Sequence, residues 1–204
     1  MLHRLRPIAV LALLLVAACG NPLDKPAPEQ RFFSMDATRT EPVRSGATEV
    51  LAVRRFRSSP GFDGRELLYR SGPNAFRSDF YNLYIASPSS LVAAQASEWL
   101  GRSGLFRSVV ATGSQADPRF VLEGQLVSIY GDFAANPPEA VLETQFFLID
   151  SRGVGSPVVL DRTYRQTAPI AERSAAALAA GLGQALTATL RQLEADIAPA
   201  IAPR

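Results

Sequence analysis

Few residues in this chain of 204 could carry out covalent or proton-transfer chemistry: it has one cysteine, Cys19, one histidine, His3, and one lysine, Lys25. A Ser-His-Asp or Cys-His system needs a histidine beside its nucleophile, and zinc and haem sites draw on several His or Cys ligands. No such constellation can be assembled from these residues. A serine-lysine dyad would have to recruit Lys25 from between Pro22 and Pro26. Carboxylate chemistry of the glycosidase kind survives in principle, but the acids are scattered singly and form no evident pair. The expectation is a protein that is not an enzyme and uses neither metal nor cofactor.

The residue with the clearest chemical context is Cys19, which ends the run "LALLLVAACGNP" at residues 11–22. The apolar stretch at residues 8–18 is 11 residues long, whereas spanning a hydrocarbon core takes about 20. His3, Arg4 and Arg6 precede it, which gives the basic, apolar, small-residue order of a secretory signal. Val16-Ala17-Ala18-Cys19 resembles the lipobox of bacterial lipoproteins. That resemblance implies cleavage between Ala18 and Cys19 and lipid attached at Cys19. Several acyl chains at one residue would hold a protein on a membrane effectively permanently. Gly20 follows, where Asp is the usual signal for inner-membrane retention. The expected location is therefore the periplasmic face of the outer membrane, through a lipid anchor.

Charge excludes another class of function. The chain has 21 Lys+Arg against 19 Asp+Glu, and removing residues 1–18 takes away Arg4 and Arg6, leaving 19 against 19. The densest basic run is Arg54-Arg55-Phe56-Arg57, too short a footprint for a phosphate backbone. No nucleic-acid partner is expected. With a single cysteine there is no disulfide, so stability must come from an ordinary core.

Residues 19–47, with Pro22, Pro26, Pro28 and Pro42, read as a lipidated cysteine and a Pro-rich tether, with residues 32–35 available as a short first strand. A single domain is expected at 48–198, with a tail at 199–204. Within the domain, "EVLAVRRFR" (49–57), "RELLYR" (65–70) and "FRSDFYNLYIA" (76–86) read as strands separated by turn-rich loops. Ser87 as N-cap, Pro88 at the first helical position and apolar residues at Val92, Ala96, Trp99 and Leu100 predict a helix ending near Gly101 or Gly104. The spacing assigns the lone Trp99 to the core. Strands follow at 106–111, 119–133, 140–150 and 156–166. Leu178, Leu182, Leu186, Leu190, Leu193 and Ile197 then mark one stripe of an amphipathic helix. Gly181-Leu182-Gly183 inside it predicts close helix packing rather than a nucleotide loop. The fold expected is α/β (α+β): a mixed, mostly antiparallel sheet with two helices packed on one face.

Two loops carry the candidate partner-binding residues. Phe62 lies between glycines in the 59–64 loop, and Phe133 beside Asn136-Pro137-Pro138 in the 131–139 loop. An aromatic ring on a stiff loop desolvates a large area at low entropic cost. The competing reading is that each ring folds back over the end of the core.

The order of lipobox, Pro-rich tether, "LAVRRF", "LLYR", a Tyr-rich strand, Ser-Pro and helix, "GLFRSVV", "FVLEGQLVSIYGDF", "VLETQFFLID" and an Ala/Leu C-terminal helix resembles the ABC-type transport auxiliary lipoprotein family, including its paraquat-inducible protein C branch. The resemblance implies an accessory subunit of a lipid transport system, with an ABC permease/ATPase complex and a mammalian-cell-entry (MCE) domain protein as partners. It also allows phospholipid as a ligand and a homo-oligomer. An envelope assembly or secretion scaffold without lipid cargo is the alternative reading.

Overall fold

The computed structural model describes residues 29–111 and 113–202. Nine strands form one sheet: β1 (Arg31–Phe33), β2 (Val50–Val53), β3 (Arg57–Ser58), β4 (Glu66–Gly72), β5 (Ala75–Tyr84), β6 (Ser108–Ala111), β7 (Phe120–Asp132), β8 (Glu139–Asp150) and β9 (Val158–Pro169). The helices among the described residues are α1 (Pro88–Ser103) and α2 (Ala175–Ala200). The sheet is mixed and mostly antiparallel, as the alternating patterns predict.

β7 organises the sheet. Along one edge it pairs antiparallel with β8, which pairs with β9 over nearly its full length. Along the other edge it takes three short parallel partners in turn: β2 at Leu51↔Phe120, β3 at Arg57↔Gln125 and β4 at Tyr69↔Gly131. β6 extends the sheet beyond β2, and the β4–β5 hairpin extends it to β1, the outermost strand at that side.

The run at residues 49–57 therefore does not form one strand. Arg54-Arg55-Phe56 interrupts it, and Phe56 turns inward against Phe146, with ring centroids 5.6 Å apart. Gly124 makes the room, because a Cβ there would lie 2.7 Å from the Phe56 ring. A similar break affects β9: a bulge near its start leaves Val158 outside, while Leu160 and Tyr164 are buried.

Both helices behave as their spacing requires. Val92, Ala96, Trp99 and Leu100 of α1 are buried, and so is every apolar residue of the Leu178-to-Ile197 stripe of α2. α2 is held at its start by Ser174, whose hydroxyl accepts from the Ala177 amide at 3.1 Å. It packs over β8 and β9, while α1 packs over β2, β3, β6 and β7 and touches α2. Gly181 lets α2 approach the sheet, since a Cβ there would meet Ile170 and Ala140 at under 3 Å. The opposite face of the sheet carries polar pairs, Arg54–Glu123, Glu143–Arg165 and Gln145–Asp161, among apolar residues such as Val121 and Val141.

The second half of the expected tether is a correction. Residues 31–44 are not a leash but a strap folded across the helices. β1 joins the sheet edge, and Met35 is buried in the core. The Ala37 amide donates to Gln95 Oε1 of α1 at 2.8 Å, and the Thr38 amide to Thr187 Oγ1 of α2 at 3.0 Å. Gly183 has no side chain to obstruct it, for a Cβ would lie 2.7 Å from the Asp36 carbonyl oxygen. Arg39 then enters a buried cluster: it pairs with Glu194 at 2.8 Å, and Glu194 also accepts from the Trp99 indole N–H at 2.7 Å. The Arg39 guanidinium lies over the Trp99 ring, 5.9 Å from its centroid. Trp99 is core, as expected, and it also has a polar partner that its spacing could not indicate.

Candidate interaction surface

Ala18 and Cys19, the expected cleavage and lipidation site, lie outside the described residues. The two candidate aromatic loops fall within them, and both flank the end of β7 that pairs with β4. Neither ring stands free. Phe62 is half-buried and stacks on Tyr130, with centroids 6.4 Å apart, and Phe76 meets both rings edge-on. Phe133 is also half-buried and stacks on Tyr69 at 4.7 Å.

The segment between these rings is fixed electrostatically. Arg70 of β4 pairs with the buried Asp132 at the end of β7, and the same guanidinium lies 5.8 Å from the Tyr130 centroid. The bond from Arg70 holds the Asp132 carboxyl below the ordinary carboxylate range, against a burial effect that acts the other way. Asp132 also accepts from the Ala134 and Ala135 amides at 3.2 Å, which shapes the start of the 131–139 loop. Tyr130 takes a further bond on its hydroxyl from Arg165 at 3.1 Å. The two loops are thus parts of one braced end of the sheet.

On the helix side of this end lies an open cleft of about 820 Å³ between the β4–β5 hairpin and the start of α2. Tyr69, Phe133 and Phe80 give it aromatic walls, and Arg77 and Arg173 add positive charge. Asp79 lies at its wall. Burial pushes the Asp79 pKa up, but bonds from Asn82 and Tyr69 and from the amides of Tyr81 and Asn82 outweigh it and hold the carboxyl below its ordinary value. Its charge is consumed in holding the hairpin.

The sequence reading singled out the two loops and not this wall. The overlooked signal is Phe80-Tyr81: two adjacent large aromatics inside a strand cannot both face the core, so one at least must line an edge or a cleft. The described residues contain no group of three or more His, Cys, Asp or Glu able to hold a metal ion.

The architecture has relatives. Protein XCC0632 from Xanthomonas campestris superposes with a TM-score of 0.71 at 18% identity, covering 83% of this chain and 95% of that one. A second crystal structure, of an uncharacterized protein, has a TM-score of 0.63 at 13% identity over 85% of this chain and 99% of its own. At such identities the likeness speaks for the fold. Among curated proteins none matches. The sequence model of the ABC-type transport auxiliary lipoprotein component matches residues 33–194, which run from the end of β1 to the Glu194 that clasps the strap. A match that takes in the sheet, both helices and the strap makes the assignment plain: the chain belongs to the family of ABC-type transport auxiliary lipoprotein components.

Proposed function

We propose that this lipoprotein is anchored through Cys19 to the periplasmic face of the outer membrane and acts as an accessory subunit of an ABC/MCE-type lipid transport system. It works by binding and not by catalysis. Its partners in this reading are the permease/ATPase complex and an MCE-domain protein, with phospholipid as a further ligand. The family match over residues 33–194 is the observation that carries the reading. The lipobox at Val16-Ala17-Ala18-Cys19 supports the anchor, and the scarcity of nucleophile and base residues supports a binding role. Among the described residues no helix is long and apolar enough to cross a membrane.

The anchor is tested by metabolic labelling with a fatty acid analogue in a bacterial host that processes lipoproteins. The parent should take up label and Cys19→Ser should not; label retained in the variant would refute Cys19 as the attachment point. Density-gradient fractionation should place the parent with the outer membrane, and recovery with the inner membrane would overturn that location. For the partner, Phe62→Ser should weaken pull-down of the MCE-domain protein several-fold while the domain stays folded by its melting curve. The same holds for Phe133→Ser, with a larger loss of stability because its ring stacks on Tyr69. Undiminished capture by folded variants would remove these loops from the docking surface.

A further inference from the structure

The sheet edge formed by β1 and β5 carries apolar side chains that the core does not use. Phe32 is 52% exposed, Phe80 70%, Tyr81 43% and Ile85 59%. Scattered exposed apolar residues need no explanation, but four large ones on one edge do. We propose that this edge is a docking surface for the anionic phospholipid surface on which the protein is anchored, an inference that rests on Cys19 as the lipid attachment point.

The presentation is built rather than accidental. The pairing of β4 with β5 shifts between Glu66↔Leu83 and Leu67↔Asp79, which pushes residues 80–82 out of the ladder. Asp79 fixes the bulge by accepting from the Tyr81 amide at 3.0 Å, the Asn82 amide at 3.1 Å and the Asn82 side-chain amide at 2.7 Å. Asn82 in turn accepts from Arg31 Nε of β1 at 2.9 Å. Phe80 and Tyr81 meet edge-on with centroids 5.3 Å apart. The fold thus spends a carboxylate, an amide and a guanidinium on holding two aromatic rings outward.

Charge points to the same occupant. Arg65 lies over the Phe32 ring at 5.4 Å and bonds only backbone carbonyls, those of Tyr84 and Ile85, among the described residues. Arg77 has no ion-pair partner among the described residues. The acids nearest along the chain or across the pairing are Glu29, two residues before Arg31, and Glu66, which lies opposite Leu83, while Asp79 is satisfied by its own donors. Aromatic rings with arginine beside them suit a headgroup layer, where rings sit at the acyl boundary and guanidinium groups bond phosphate.

Chain connectivity places this edge next to the anchor. β1 begins at Arg31, so residues 20–30 separate it from Cys19. Fully extended, they reach no more than ~40 Å. The edge that bears the exposed rings is therefore the one tethered nearest to the bilayer, whereas the β8–β9 turn with Val154 leaves the sheet beside Phe120, at the other end of β7.

The test uses the full-length lipidated protein in phosphatidylethanolamine/phosphatidylglycerol vesicles, with and without brominated acyl chains. Native Trp99 is 3% exposed, so its emission serves as an internal reference. Phe80→Trp should add an emission that is blue-shifted on the vesicles and loses most of its intensity to the brominated lipid. Val154→Trp should add one that does neither. Adding Arg65→Glu and Arg77→Glu to Phe80→Trp should restore most of the quenched intensity. If Phe80→Trp is not quenched although the protein floats with the vesicles, the anchor stands and the docking surface is wrong. If the protein does not float at all and Cys19 carries no label, it is the lipoprotein anchor that has failed. A blue shift without quenching, growing with protein concentration in detergent, would mean that a second copy covers the edge and would overturn the proposal.

Discussion

Leu186→Asp is expected to lower the melting temperature by more than about 8 °C, while Gln192→Asp on the same helix changes it by a degree or two. Leu186 is fully buried in the α2 stripe that covers the sheet. Aspartate there removes the apolar contacts of a leucine, typically 2–5 kcal/mol when it is truncated, and adds the cost of an unpaired buried carboxylate. A total of about 4 kcal/mol is a large share of the 5–15 kcal/mol that a domain has. At roughly 2–4 °C per kcal/mol for a domain of this size, the shift follows. Gln192 is exposed and accepts from the Gln166 side chain at 2.9 Å. Aspartate keeps an acceptor oxygen at that position, so the change belongs with ordinary surface substitutions. Equal melting temperatures for the two variants would show that α2 does not pack through this stripe.

That pair of variants could be chosen from the sequence because α2, β8 and β9 each bury mainly one face. A period of 3.6 or 2 then survives in the residue order. Where a segment packs by other means the period disappears. Residues 34–44 look like a tether because their composition is polar and proline-bearing, yet they are held by Met35, by amides donating to Gln95 and Thr187, and by Arg39. The two amide bonds and the Arg39–Glu194 pair each reach a residue more than 50 positions away, so no local pattern records them. Phe56 is similar: its inward turn depends on the missing side chain of Gly124 on a different strand. At the candidate surface, the loops of Phe62 and Phe133 were legible from their glycine and proline framing. Their aromatic partners Tyr130 and Tyr69 were not, because strand register decides them. Glu194 shows the limit most clearly. In a stripe read for leucines it is merely a polar interruption, and only the fold reveals that Trp99 and Arg39 converge on it.

Glu194 is therefore where the largest effect of a single polar substitution is expected. Its side chain and that of Arg39 are 6% and 7% exposed, and their pairing is bidentate, through Nε at 3.1 Å and Nη2 at 2.8 Å. Glu194→Ala leaves a buried guanidinium without its carboxylate and the Trp99 N–H without its acceptor. Removing one partner of a buried pair typically costs 3–5 kcal/mol. Arg39→Met combined with Glu194→Leu removes both charges and should recover a substantial part of that loss, because an apolar pair of similar volume avoids the desolvation of two ions. Urea unfolding of the three proteins measures this, and a midpoint for Glu194→Ala equal to that of the parent would contradict it. The location of the damage is also specified. Losing the Arg39 contact should free the strap before the sheet melts, so limited proteolysis under native conditions should cut Glu194→Ala within residues 34–47 while the domain from β2 onward persists. The strap sets how much chain lies between Cys19 and the domain. Its release would add residues 31–48 to the leash, up to ~60 Å of extended chain. A cut site elsewhere, or a strap as resistant as that of the parent, would mean that β1 and Met35 hold it without the buried charge. In that case the Arg39–Glu194 pair would have no part in setting the distance between membrane and domain.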